Sequence, residues 1–162
     1  MTPHLRDATT DRDWDEAAAL LRRVYVGGGY TAAENAGPFM ARATLEPAGQ
    51  LILAVDEMDR VIGAVLFLHA ESALRQLAHG AEREFRVLAV DERARGAGIG
   101  EALVQACVER AFDAGASAVA IWTQPRMHSA QRLYERLGFE RAPARDQPDP
   151  RGFTRLVYVR TR

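Results

Sequence analysis

The sequence predicts a mixed α/β fold built on one central sheet, and three observations carry the prediction. Two short apolar runs, Leu51 to Val55 and Val61 to Leu68, are separated only by the polar D-E-M-D-R, the pattern of a hairpin of well-buried strands. A third run, Phe85 to Val90, leads through the glycine-rich R-A-R-G-A-G-I-G into a helix too apolar to stand alone. Consecutive hairpins at both ends of the chain argue against an all-parallel doubly wound sheet.

The elements follow in order. Thr10 to Tyr25 places Trp14, Ala17, Ala18, Leu21, Val24 and Tyr25 on one helical stripe, with Thr10 and Asp13 spaced as a capping pair. G-G-G-Y from Gly27 ends that helix, and Thr31 to Leu45 is weakly periodic, consistent with a short helix opened by Pro38. After the hairpin and the polar E-S-A-L-R-Q-L-A-H-G comes the strand Phe85 to Val90. The next helix, Glu101 to Asp113, keeps Glu101, Gln105, Glu109 and Asp113 in one narrow polar row. Its apolar flanks therefore need a sheet to cover them. Ala118 to Thr123 reads as a strand, and Pro125 opens a helix with Ala130, Leu133, Tyr134 and Leu137 on one face and Gly138 as its stop. A proline-rich loop and the alternating F-T-R-L-V-Y-V-R complete a single domain over residues 1–162.

Composition narrows the function classes. The 162 residues carry a formal net charge of −1, 48% hydrophobic and 27% charged residues, so no basic field exists to hold a nucleic acid. The lone Cys107 can form neither an intramolecular disulfide nor a zinc site by itself, which suits a reducing cytoplasm, and its plain reading is a small core residue. His79 and His128 lack metal-ligand spacing, and no metal is expected. The N-terminus is charged where a signal peptide needs an apolar core, and V-I-G-A-V-L-F-L-H-A is too short to span a bilayer. The reading is a soluble, cytoplasmic protein with no membrane partner, and a homodimer is left open.

The glycine loop carries the chemistry. Counted from Gly96 or Gly98, a dinucleotide fingerprint would need a small residue where Glu101 or Leu103 stands, and a P-loop would need Lys after Gly100, where Glu101 stands. What remains is a strand, glycines that let backbone N–H groups approach an anion, a helix N-terminus, and Arg93 and Arg95 at the rim.

Taken with its flanks, E-F-R-V-L-A-V-D-E-R-A-R-G-A-G-I-G-E-A-L-V resembles the acyl-CoA-binding segment of the GNAT superfamily of N-acyltransferases, with Arg95, Gly98 and Gly100 filling the core pattern. A-Q-R-L-Y-E-R-L-G-F, from Ala130 to Phe139, resembles the superfamily's second signature, although Met127 stands where many members carry Asn. The resemblance implies a mostly antiparallel twisted sheet flanked by helices, with one splayed parallel strand pair holding CoA. It implies acetyl-CoA as co-substrate, with its pyrophosphate on Arg95, Gly96, Ala97, Gly98, Ile99 and Gly100, and its pantetheine arm along Leu88, Ala89 and Val90 of a bulged strand. A small-molecule or peptide amine would be the acceptor. Tyr134 is then the expected donor to the leaving thiolate, and Glu84 the candidate carboxylate base. Against that role, Glu84 also reads as a solvated acid at a strand start between Arg83 and Arg86. Tyr25, Tyr30, Phe39, Trp122, Gln124 and Arg126 are candidates to line the acceptor pocket. Transfer of a longer acyl group and a non-catalytic acyl-CoA-binding module are the alternatives.

Overall fold

The computed structural model describes residues 3–162, with the side chains of residues 35, 36, 38 and 39 left outside the description. The elements run β1 (His4–Asp7), α1 (Asp11–Gly27), α2 (Ala33–Met40), α3 (Arg42–Leu45), β2 (Gly49–Val55), β3 (Val61–Leu68) and β4 (Glu82–Val90). They continue with α4 (Ile99–Asp113), β5 (Ala118–Thr123), α5 (His128–Arg136), β6 (Glu140–Arg141), β7 (Gln147–Pro148) and β8 (Thr154–Thr161). One sheet takes the order β1-β2-β3-β4-β5-β8-β6, with β7 pairing β8. Every neighbouring pair is antiparallel except β4 with β5.

Both faces of this sheet are covered, which is why β2 and β3 read as continuous apolar runs and not as alternating ones. Ile52, Ala54, Val65 and Phe67 pack with α4 residues Leu103, Val104, Cys107 and Val108 on one face. Leu51, Leu53, Ala64, Leu66 and Leu68 pack with Trp14, Ala17, Leu20 and Leu21 of α1 on the other. Gly63 lets α4 come close: a Cβ there would lie 2.8 Å from Ile99 Cγ2 and 3.0 Å from Leu103 Cδ1. Cys107 is a core residue of α4, and burial pushes its thiol above the ordinary range.

The capping pair of α1 forms as the spacing predicts. The Thr10 hydroxyl accepts from the Asp13 amide at 3.1 Å, and the Asp13 carboxylate accepts from the Thr10 amide at 3.1 Å. Asp13 has a further task that the pattern did not carry: it pairs with both Nη atoms of Arg6 on β1 at 2.8 Å, stapling the first strand to the first helix. Several boundaries differ from expectation. The early short helix starts at Ala33 and contains Pro38, α4 starts two residues before Glu101, and α5 starts at His128, three residues after Pro125. β4, expected from Phe85, begins at Glu82, so Glu84 lies inside it and not at its start.

Candidate active site

The site begins where the sheet comes apart. β4 and β5 pair only at Glu82↔Ala118, Arg83↔Val119 and Glu84↔Ala120, after which each strand continues with its outer neighbour alone. At the same level β4 is bulged: Leu66 faces Arg86 and Ala64 faces Ala89, so Val87 and Leu88 together oppose Val65. Val87 takes a φ of 54°, a left-handed conformation uncommon for a β-branched residue. The Tyr25 hydroxyl of α1 donates to the Leu88 carbonyl at 2.9 Å and props the bulge from the helix side. The bulge and the parting of the strands together produce the splayed pair that the family resemblance implies.

At the far end of β4 the chain turns into α4 through Gly96 (φ 84°) and Gly98 (φ 78°), both in the left-handed region that favours glycine. Gly98 is the N-cap and supplies no side-chain acceptor, so the first-turn N–H groups of α4 have no side-chain partner at this cap. A Cβ at Gly96 or Gly98 would meet nothing within 4 Å, which leaves open space in front of a helix N-terminus with Arg95 beside it. Gly100 serves packing instead, since its Cβ would press Leu133 Cδ2 at 3.3 Å.

A cavity of about 740 Å³ joins these features. Leu88, Ala89, Val90, Arg95, Gly96, Gly98, Ile99 and Gly100 all line it, whereas Ala97 is exposed and lies off its wall. Tyr134 lines it from α5 as a mostly buried side chain set among Phe85, Phe139 and Tyr158, with ring centroids 5.7–6.0 Å away. Burial pushes its phenol far above the ordinary range, and among the described residues its hydroxyl has no hydrogen-bond partner. A protonated phenol therefore lines the cavity. Met127, the N-cap of α5, lines it too.

Glu84 does not line this cavity, and the expectation of a solvated acid is corrected: it is only 1% exposed. Its Oε1 accepts from the amides of Gln76, Leu77 and Ala78 at 3.1, 2.9 and 3.0 Å. The carboxylate thus organises the irregular segment between β3 and β4, a task set by a loop that folds back onto the strand and absent from helix or strand periodicity. The same segment meets β5, where Trp122 Nε1 donates to Gln76 Oε1 at 2.7 Å.

Of the acceptor-side candidates, Tyr25, Tyr30 and Arg126 line the cavity, and Gln124 donates to the Tyr30 carbonyl at 3.1 Å. The Arg155 guanidinium lies over Trp122, 4.9 Å from the ring centroid. The side chain of Phe39 lies outside the described residues. Sequence reasoning missed Arg86, Arg151 and Arg155, which converge on this side: Arg155 and Arg151 each pair with Asp149 at 2.9 Å, and both bear electrostatically on Arg86. A charged residue inside an apolar strand, Arg86, was the one signal available.

A sheet parted beside a bulge, with a glycine-turned helix N-terminus at its end, is the architecture of an acyl-CoA-dependent acyltransferase. The Acetyltransferase (GNAT) family model matches residues 14–139, and the chain belongs to that family. Mycothiol acetyltransferase of Pseudarthrobacter chlorophenolicus is 38% identical over 96 residues, covering 59% of this chain and 28% of that protein. The mycothiol acetyltransferase of an Arthrobacter species is 36% identical over 102 residues, 63% of this chain and 30% of that protein. The match thus spans less than a third of the length of these curated relatives. Among solved structures, a GCN5-related N-acetyltransferase from Kribbella flavida superposes with a TM-score of 0.77 at 24% identity, covering 99% of this chain and 98% of that one. A phosphinothricin acetyltransferase from Sinorhizobium meliloti, solved in complex with AcCoA, gives 0.76 at 23% identity over 99% and 89%. These two likenesses establish the fold. Among the described residues, no helix is long and apolar enough to cross a membrane.

Proposed function

We propose that this chain transfers the acetyl group of acetyl-CoA to a primary amine by direct attack. The observation that carries the reading is that one cavity joins the bulged stretch Leu88 to Val90, the open N-terminus of α4 and the free hydroxyl of Tyr134. The loop from Arg95 to Gly100 would hold the pyrophosphate, where backbone N–H groups and the helix dipole favour negative charge. Leu88, Ala89 and Val90 would hold the amide-bearing pantetheine arm in the gap that β4 and β5 leave between them.

In the reaction, the lone pair of a neutral amine attacks the thioester carbonyl, a C–N bond forms, the C–S bond breaks, and the nitrogen loses a proton. The departing thiolate needs one proton. Tyr134, kept protonated by burial and lining the cavity, would give it. Glu84 enters with a different task from the one its position suggested. To take a proton, its Oε1 would have to release backbone amides that it already holds, so we assign it to positioning the 76–78 segment beside β4 and leave the amine's proton to water in the cavity.

Two measurements test the reading. Acetyl-CoA at a hundred times its dissociation constant should add about 2.7 kcal/mol of stability, read as a raised melting temperature, while ATP and NAD add much less. Thiol release from acetyl-CoA should depend on added amine across a panel of primary amines. ATP stabilising as strongly as acetyl-CoA would refute the binding half, and amine-independent thiol release would refute the transfer half.

A further inference from the structure

On the far side of the bulge from the cavity lies a group that bears on the acceptor's chemistry beyond its amine, provided the chain is the acetyltransferase proposed. Arg86 faces Leu66 across the β3–β4 ladder, and Leu66 packs on the α1 side of the sheet. The guanidinium therefore lies on the α1 face, two residues before Leu88, where β4 begins to line the cavity. Its surroundings are Glu84, Tyr25, Arg155 and Arg151. Burial lowers its pKa from arginine's ordinary value, Glu84 and Tyr25 oppose that shift, and the two arginines reinforce it.

This guanidinium is poorly partnered for a half-buried one. Its single hydrogen bond among the described residues is a long one, from Nη1 to the Leu74 carbonyl at 3.4 Å. The Glu84 oxygens are turned to the amides of residues 76–78 and leave it without a close ion pair. Arg151 and Arg155 are both committed to Asp149 and bear on Arg86 as like charges. The remaining N–H groups of Arg86 are not sealed in. Arg83 Nε is the buried side-chain polar atom left without a partner among the described residues, and no atom of Arg86 shares that state. An arginine with accessible donors, two like charges bearing on it and a cavity that begins two residues along its strand is arranged to receive a planar anion.

We infer that Arg86 receives a carboxylate on the acceptor, so that the amines acetylated by this chain are those that also carry a carboxylate, amino acids being the simplest case. A neutral carboxamide in the same place would lose the charge-assisted pair and leave the Arg86 charge unmet.

The test needs no turnover. CoA-saturated protein is titrated calorimetrically with N-acetyl amino acids and, in parallel, with their carboxamides, in the wild type, Arg86→Gln and Arg86→Lys. The expected result is that wild type binds the carboxylates about tenfold or more tightly than the carboxamides. Arg86→Gln should abolish that preference and Arg86→Lys retain part of it. Should Arg86→Gln fail to bind CoA, Arg86→Lys alone decides by a reduced preference. The inference is overturned if carboxamides bind as well as carboxylates, if both variants keep the full preference, or if no member of the panel binds. Acetyl-CoA binding and thiol release on the same preparations separate the two levels. Binding of acetyl-CoA with equally fast acetylation of neutral amines sinks this inference alone, and no acetyl-CoA binding sinks the functional reading beneath it.

Discussion

Replacing Tyr134 with Phe removes one oxygen and nothing else that the fold uses. The ring keeps its neighbours Phe85, Phe139 and Tyr158 at 6.0, 5.7 and 6.0 Å, so the aromatic contacts, worth about 0.5–1.5 kcal/mol each, persist. The hydroxyl has no partner among the described residues, so no hydrogen bond is lost, and unfolding free energy should change by less than about 0.5 kcal/mol. Turnover should respond on a different scale. A lost general acid typically costs about 10² to 10⁴ in rate, or about 2.7–5.4 kcal/mol of barrier. The assay is thiol release at saturating acetyl-CoA, with acetyl-CoA affinity measured separately and expected to stay nearly constant. Burial holds the phenol protonated, so wild-type turnover should show no alkaline limb from Tyr134 between about pH 6 and pH 9. Tyr158→Phe, whose hydroxyl reaches Glu135 at 3.4 Å, is the matched control with turnover expected unchanged. Unaltered turnover in Tyr134→Phe, where chemistry limits the rate, would return Tyr134 to the core.

Other substitutions separate the remaining parts. Gly98→Ala meets no atom within 4 Å but must hold φ near 78°, so about 1–2 kcal/mol of stability should go, and the methyl in front of α4 should weaken acetyl-CoA binding about tenfold; unchanged affinity in a calorimetric titration would move the anion elsewhere. Glu84→Gln swaps charge-assisted bonds to the amides of 76–78 for neutral ones, with an expected loss of roughly 1–3 kcal/mol in denaturant melts. Its rate should fall by one factor at every pH, whereas a defect that disappears at high pH would make Glu84 the base after all. Asp13→Asn should cost about 2 kcal/mol near neutral pH, because the Arg6 pair and the cap both lose the charge. Arg6 holds the folded Asp13 carboxyl well below its ordinary value. The wild-type advantage is therefore complete above the unfolded carboxyl pKa of about 3.9 and shrinks as pH falls below it toward the folded value. An advantage that grew with acid would contradict the pairing.

What local pattern carries, the sequence showed: the Thr10–Asp13 cap, the β2–β3 hairpin, the glycine turn into α4, and α5 with Tyr134 on its buried face. Each is a short-range arrangement whose physics acts within one helix turn or one strand. β1 was missed because H-L-R-D has no period-2 pattern, and its pairing with β2 is settled by Leu5 and by the Arg6 bridge to Asp13. β6 and β7, two residues each, are recruited by β8 and have no signal of their own. Glu84 and Arg86 were the least legible positions. Charged residues in a strand read as solvent-facing, yet one is enclosed by three amides from a loop folded over it, and the other is mostly buried and feels the charges of Arg151 and Arg155 from the chain's last tenth.

A sheet that parts in its middle has four edges, not two. The outer pair follows the usual protective rules: β1 has four residues, three of them polar or charged, and β6 is only Glu140 and Arg141, so neither offers a long flat template to another chain. The inner pair breaks those rules, since β4 beyond Glu84 and β5 beyond Ala120 turn unladdered backbone toward each other. In an open sheet such backbone would invite strand addition and aggregation. Here the mouth is lined by Val24 and Tyr25 of α1 and by Leu133 and Tyr134 of α5, so the gap is flanked by a helix on either side. Under the proposed function, that unladdered backbone is what the amide-bearing arm of acetyl-CoA would pair with, in the place where an open sheet would take up another chain's strand.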